Sequence, residues 1–148
     1  MIKKFLLFIL TCNALYSASL FTVENLGNVN VYFENQSDFL KTKDIENIKI
    51  LIKKSLSEKG ITIGQSDPST FYTKVESITI GDVRAIHVMM GVGEEVITKR
   101  KDAIETFSFT YSSSDFMESD KEDSYSDTIE SIEVLLGEFL DAYVEDNE

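Results

Sequence analysis

Two amphipathic helices packed on one face of a mixed, largely antiparallel sheet, in the order β-α-β-β-β-α, is the α+β fold that this sequence predicts. Three observations predict it. Val29-Asn30-Val31-Tyr32-Phe33 alternates apolar and polar residues with the period of a half-buried strand. Two stretches, one after that strand and one near the end of the chain, carry apolar residues at three- and four-residue steps instead. Between them, from Thr70 to Thr110, β-branched and aromatic residues dominate.

The elements follow in order. Glu24-Asn25-Leu26-Gly27-Asn28 reads as a turn before the first strand, and Asn35-Gln36-Ser37-Asp38 ends that strand. Ile45, Ile48, Leu51, Ile52 and Leu56 make a helical stripe, with Thr42 or Asp44 available to receive the free amides at its start. Lys59-Gly60 closes the helix, because glycine adopts the left-handed conformation that ends helices at little cost. Ile61-Thr62-Ile63 reads as a short strand, and Gly64 to Ser69 as a turn holding the single proline, Pro68.

Phe71 to Ile80 reads as a strand, with Gly81-Asp82 as a hairpin tip. Ala85 to Met90 returns and continues through Val92 to Thr98, with a bulge expected at Gly91 or Gly93. Lys99-Arg100-Lys101-Asp102 makes the next turn. In the last strand Phe107, Phe109 and Tyr111 alternate with Thr106, Ser108 and Thr110, which predicts the three aromatics on one covered face and the hydroxyls on a wet one. Ser112 to Asp123 reads as a mobile, acidic loop. The second helix begins near Ser124 or Ser126, with the stripe Tyr125, Ile129, Ile132, Leu136, Phe139 and Tyr143 facing the core. Ile48, Leu51, Ile52, Ile132, Leu136 and Phe139 are expected to share that core. No internal repeat is present.

Residues 1–19 have the layout of a secretory signal peptide: Lys3 and Lys4, an apolar run from Phe5 to Leu10, then small residues. Ser17 and Ser19 suit cleavage after Ser19, and the run is shorter than the ~20 residues that span a bilayer. The rival is Cys12 as a lipidated first residue, but Thr11 stands where such a site has a small residue. Export to the periplasm is the expectation, with membrane association only if Cys12 is lipidated. Residues 20–144 then form one domain, followed by a frayed acidic tail, 145–148, whose carboxylates oppose the helix dipole.

Composition excludes several classes. Cys12 is the single cysteine, so a domain cleaved after Ser19 has no disulfide, thiol chemistry or iron–sulfur site. Charge is unevenly spread: residues 20–114 hold 13 acids and 11 bases, whereas 115–148 hold 13 acids and Lys121 alone. An acidic surface gains nothing from counterion release on a phosphate backbone, so no nucleic-acid partner is expected.

Candidate chemistry is sparse. His87 is the sole histidine, with no second imidazole to complete a metal site or a catalytic dyad. Met89 and Met90 beside it point to opposite faces of a strand, so at most one joins it. Gly91-Val92-Gly93 lacks the third glycine and the strand–turn–helix setting of a dinucleotide fingerprint. The acids from Asp115 through Glu118, Asp120, Glu122 and Asp123 to Asp127 lack the ligand spacing and pivotal glycine of a calcium loop. Lys99-Arg100-Lys101 is a solvated basic turn, the best small patch for anionic lipid or an acidic partner. No catalytic residue, cofactor or metal ligand is therefore assigned.

The order of strand, helix ending at Gly60, β-runs and terminal helix resembles a group of small bacterial envelope modules. These are the TolB amino-terminal domain, CsgG-like and LpoB-like domains, and ABC-transport auxiliary lipoproteins. The residues that carry the resemblance are Val29 to Phe33, Leu51 to Ile61, Phe71 to Ile80 and the helix from Tyr125. The resemblance implies a binding or assembly part without catalytic residues. The expected function is thus a non-catalytic periplasmic accessory domain that binds an envelope protein complex through a sheet edge or face. The alternative is a carrier holding an apolar ligand between Phe107, Phe109, Tyr111 and a helix.

Overall fold

A computed structural model describes residues 22–64 and 69–148. The expected leader, its cleavage point at Ser19 and Cys12 lie outside the described residues, as does Pro68. Seven elements run in the order β1 (Asn28–Gln36), α1 (Thr42–Glu58), β2 (Thr62–Ile63), β3 (Thr70–Ile80), β4 (Val83–Ile97), β5 (Glu105–Asp120) and α2 (Ser124–Asn147). The sheet order is β2-β1-β3-β4-β5. β1 runs parallel to both β2 and β3, and the β3-β4-β5 meander is antiparallel. This is the expected α+β layout, with the two-residue β2 making a fifth strand beside the four of β-α-β-β-β-α.

Alternation places one set of side chains from every long strand under the helices. Val29 and Phe33, Phe71 and Val75, and Ile86, Val88, Met90 and Val92 are buried there against Ile48, Ile52 and Leu56 of α1 and Ile132, Leu135, Leu136 and Phe139 of α2. Leu51 packs at the margin, so the six expected core residues do share one cluster. Burying each large aliphatic or aromatic side chain contributes about 1.5–3 kcal/mol, which makes this layer the main stabilising term. Phe139 stands at its centre, edge-on to Phe71 at 4.9 Å and to Tyr111 at 5.2 Å.

The second helix follows the expected stripe from Ile129 to Tyr143 and departs from it in its first turns. Tyr125 is exposed, while Ser124, Thr128 and Ser131 are buried. Small side chains there let the first turns of α2 lie close to the sheet, and Thr128 Oγ1 donates to Ser124 O at 2.7 Å. At the start of α1, Asp44 accepts from the N–H of Lys41 at 2.9 Å. Gly60 closes that helix at φ 86°, and Gly81 begins the β3–β4 hairpin at φ 62°.

Three expectations are corrected. The segment from Ser112 to Asp120 is not a loop but the second half of β5, paired from Ser112↔Gly91 to Asp120↔Val83. Its serines and acids alternate across the sheet, and backbone pairing to the whole length of β4 outweighs their weak strand propensity. The tail expected to fray is helical here, because α2 continues to Asn147 and its end bonds to the turn before β1. Val23 N donates to Asp146 Oδ2 at 2.9 Å, Asn25 N to Asn147 Oδ1 at 2.7 Å, and Asn147 Nδ2 to Val23 O at 3.0 Å. These bonds satisfy a turn that would otherwise leave amides open, which offsets the unfavourable dipole.

The third correction concerns the bulge. β4 is continuous, and the register shift falls where Val92 pairs with Tyr111 and Gly93 with Phe109. The extra residue is Thr110 on β5, opposite the expected side. Its hydroxyl donates to Glu94 Oε2 at 2.6 Å, and its carbonyl accepts from Thr22 N at 3.0 Å.

Candidate functional site

The bulge decides what lies on the face of the sheet away from the helices. Alternation across Thr110 is broken, so Tyr111 points to the helices while Phe109 and Phe107 point the other way. The three aromatics expected on one covered face are divided between two.

On the open face they continue a row begun on β1. Tyr32 and Tyr72 are register partners with rings stacked at 5.7 Å and 14°. Tyr72 meets Phe109 edge-on at 5.6 Å, and Phe109 meets Phe107 at 6.5 Å. The rings cross β4 because Gly91 and Gly93 leave room. A Cβ on Gly91 would come within 2.9 Å of Phe109 Cδ1, and one on Gly93 would overlap the tip of the Phe107 ring. The glycine pair thus serves aromatic packing, with no phosphate loop around it.

Beside this row runs a polar ladder. Tyr72 OH donates to Glu34 Oε2 at 2.5 Å, and Gln36 Nε2 also donates to Glu34. Lys74 Nζ lies 2.7 Å from Glu76 Oε1 and 3.8 Å from Glu34 Oε1. Glu76 Oε2 is 3.1 Å from His87 Nδ1, and the His87 ring stacks on Phe116 at 4.0 Å and 5°. Charge and hydrogen bonding explain the titration shifts. The Tyr72 hydroxyl holds Glu34 below the usual carboxylate range, and Lys74 and then His87 do the same for Glu76. Lys74 is raised by its bond to Glu76. Burial first, then Glu34, pushes Tyr72 upward.

The ladder ends in a shallow depression of about 620 Å³ between Gln36, Glu76, Ile78, His87, Phe116 and Glu118. Phe116 is 74 % exposed and Ile78 69 %. The open face is therefore an apolar surface with a central line of ion pairs, suited to contact with another molecule.

The remaining flagged residues scatter. Met89 shares the open face with His87, whereas Met90 is buried on the other. Lys99, Arg100 and Lys101 sit exposed on the β4–β5 turn. The acids from 115 to 127 are spread along β5, a turn and the start of α2, and no group of three or more potential metal ligands converges among the described residues. Tyr32, Glu34, Lys74, Glu76 and Phe116 had no signal of their own. Arg84 was also unmarked, yet its Nε binds Asp38 at 3.0 Å, its Nη1 donates to Lys121 O at 3.0 Å, and it covers Phe39 at 5.0 Å. That residue staples the β1–α1 loop to the start of α2, and its guanidinium holds Asp38 low.

No protein-family profile and no curated protein matches the chain. Among solved structures it is similar to a minor lipoprotein from Acinetobacter baumannii, with a TM-score of 0.35 and 8% identity, covering 78% of this chain and 90% of that one. A likeness so distant carries no argument about function. Among the described residues no helix is long and apolar enough to cross a membrane.

Proposed function

We propose that the chain is a non-catalytic accessory or assembly domain of the periplasm that binds an envelope protein partner over the open face of its sheet. The observation that carries this is the row Tyr32, Tyr72, Phe109 and Phe107 with Phe116 beyond it, standing uncovered on one face while both helices occupy the other. Soluble domains seldom leave a contiguous aromatic face bare unless something binds it. Tyrosine and phenylalanine among fixed ion pairs are also the composition of protein interfaces. Glu34 and Glu76 are shifted downward, the wrong direction for a general acid near neutral pH, and their carboxylates are held by Tyr72 and by Lys74 and His87. The ligand-carrier reading loses its cavity, because Tyr111 is packed against Phe139 and a guest between sheet and helices would have to displace the core.

Crosslinked pull-down from the native envelope tests the reading. The tagged protein should capture a reproducible complex, and the triple variant Phe107→Ser, Phe109→Ser, Phe116→Ser should lose it while retaining a cooperative melt. Capture that survives the triple substitution would discard the open face as the docking surface. Copurifying lipid in native mass spectrometry would transfer the role to the carrier.

A further inference from the structure

A second surface, separate from the open face, lies along the rim of the sheet. β5 is an edge strand of 16 residues, whereas the opposite edge, β2, has two. A long edge offers backbone N–H and C=O groups to any extended segment that lies beside it. Beneath this edge, between β5 and α2, runs a groove of about 440 Å³. Its lining includes the carboxylates Asp115, Asp127, Glu130 and Glu138, and no lysine or arginine. Ser119 and Ser113 each donate to one of these acids, at 2.6 Å to Asp127 and 3.0 Å to Glu138, and none of the four is in an ion pair among the described residues. In the same groove Ser131 is 4 % exposed with its hydroxyl unpartnered.

We infer that the β5 edge from Ser112 to Asp120 takes an extended, basic segment of a partner protein as an added strand, its alternate cations lying over this groove. The charges select against a second copy, since Glu105, Asp115, Glu118 and Asp120 on β5 would meet their own likenesses with no base on the strand. Spacing refines the partner. Glu130 and Glu138 are separated by a rise of about 12 Å along a helix, and residues four apart on a strand by about 13–14 Å. Val134, 55 % exposed, lies between them. The fitting segment therefore carries cations at i and i+4 with an apolar residue at i+2.

The test uses the full domain and a capped seven-residue peptide in which threonine alternates with lysine, valine and lysine. Its control has the same residues with both lysines adjacent. Nitrogen-15 NMR titration should show saturable shifts in the amides from Ser112 to Asp120, with affinity at least tenfold above the control. Glu130→Lys with Glu138→Lys, both on the exposed side of α2, should weaken the ordered peptide at least tenfold while the melt is retained. Equal affinity for both peptides, shifts confined to the open face, or no effect of the double reversal would each overturn the inference. Phe107→Ser with Phe109→Ser alters the open face outside Ser112 to Asp120 and leaves this stretch of the edge unchanged, so either surface fails without the other.

Discussion

Phe109 and Tyr111 stand two residues apart on β5 and lie on opposite faces of the sheet, Phe109 edge-on to Tyr72 at 5.6 Å and Tyr111 edge-on to Phe139 at 5.2 Å. Thr110, inserted between them without a partner on β4, is what reverses the alternation. One side of the strand thereby completes the core and the other supplies the open face. The two functions of this strand can be separated by mutation.

Truncating Phe139 should cost about 3–5 kcal/mol, as expected for a fully buried aromatic that leaves a cavity beside Phe71 and Tyr111. Phe109→Ala, 36 % exposed in the wild type, should cost about 1–2 kcal/mol. Urea unfolding of the two variants measures both, and comparable losses would mean that the open face contributes to the core.

The glycines beneath the rings should differ in tolerance. Gly91→Ala places a Cβ 2.7 Å from the carbonyl oxygen of Tyr111, which is backbone and cannot swing aside, so a loss of about 2–3 kcal/mol is expected. Gly93→Ala meets only the end of the Phe107 ring, which can rotate into solvent, and should cost about 1 kcal/mol or less. Equal midpoints in urea would argue against this placement of the rings.

Acid should weaken the fold through three carboxylates. Glu34, Asp38 and Glu76 are all held below their ordinary values, so the folded state binds fewer protons than the unfolded one as pH falls. Their contribution is full above the unfolded values, about pH 4–4.5, and is lost as pH drops through the folded ones. Lys74 has the opposite sign: its raised value contributes below about pH 10.4 and is lost above the folded value. Glu76→Gln should flatten the decline of the urea midpoint between pH 5 and pH 3, and an unchanged slope would show that the ladder does not carry it.

The carboxyl-terminal turn of α2 should protect the amino-terminal segment. Asp146→Ala with Asn147→Ala removes the acceptors for Val23 N and Asn25 N and should cost about 1–2 kcal/mol. Hydrogen exchange at those two amides is expected to accelerate well before the core opens. Exchange at the wild-type rate would mean that the turn is held by other contacts.

Gly137 lies inside α2 with open space where a Cβ would stand. Alanine there should stabilise the domain by about 0.5–1 kcal/mol, because it narrows the unfolded ensemble without a clash. A lowered melting temperature would indicate that this surface is occupied.

Much of the fold was legible because it is written in short periods. The stripe Ile48, Ile52 and Leu56, the end at Gly60, the hairpin at Gly81 and the alternation of Val29, Val31 and Phe33 depend on neighbours within a few residues. The site was barely legible. Glu34, Lys74, Glu76 and His87 come from three strands and meet only when register sets Glu34 opposite Lys74 and Glu76 opposite His87. His87 drew notice as the single histidine, but its partners are ordinary residues in one dimension.

By itself, the sequence determined the element types, their order and the apolar faces that the helices and sheet bring to the core, since backbone geometry converts local periodicity directly into a face. Only the tertiary structure decided that Ser112 to Asp120 extends β5, that Thr110 is the bulged residue, and that Asp146 and Asn147 hold the turn at Val23 to Asn25. Those outcomes depend on pairing between residues far apart in the chain. A shift of one residue in register exchanges every side chain between the two faces of a strand, and no local pattern records which residue absorbs that shift.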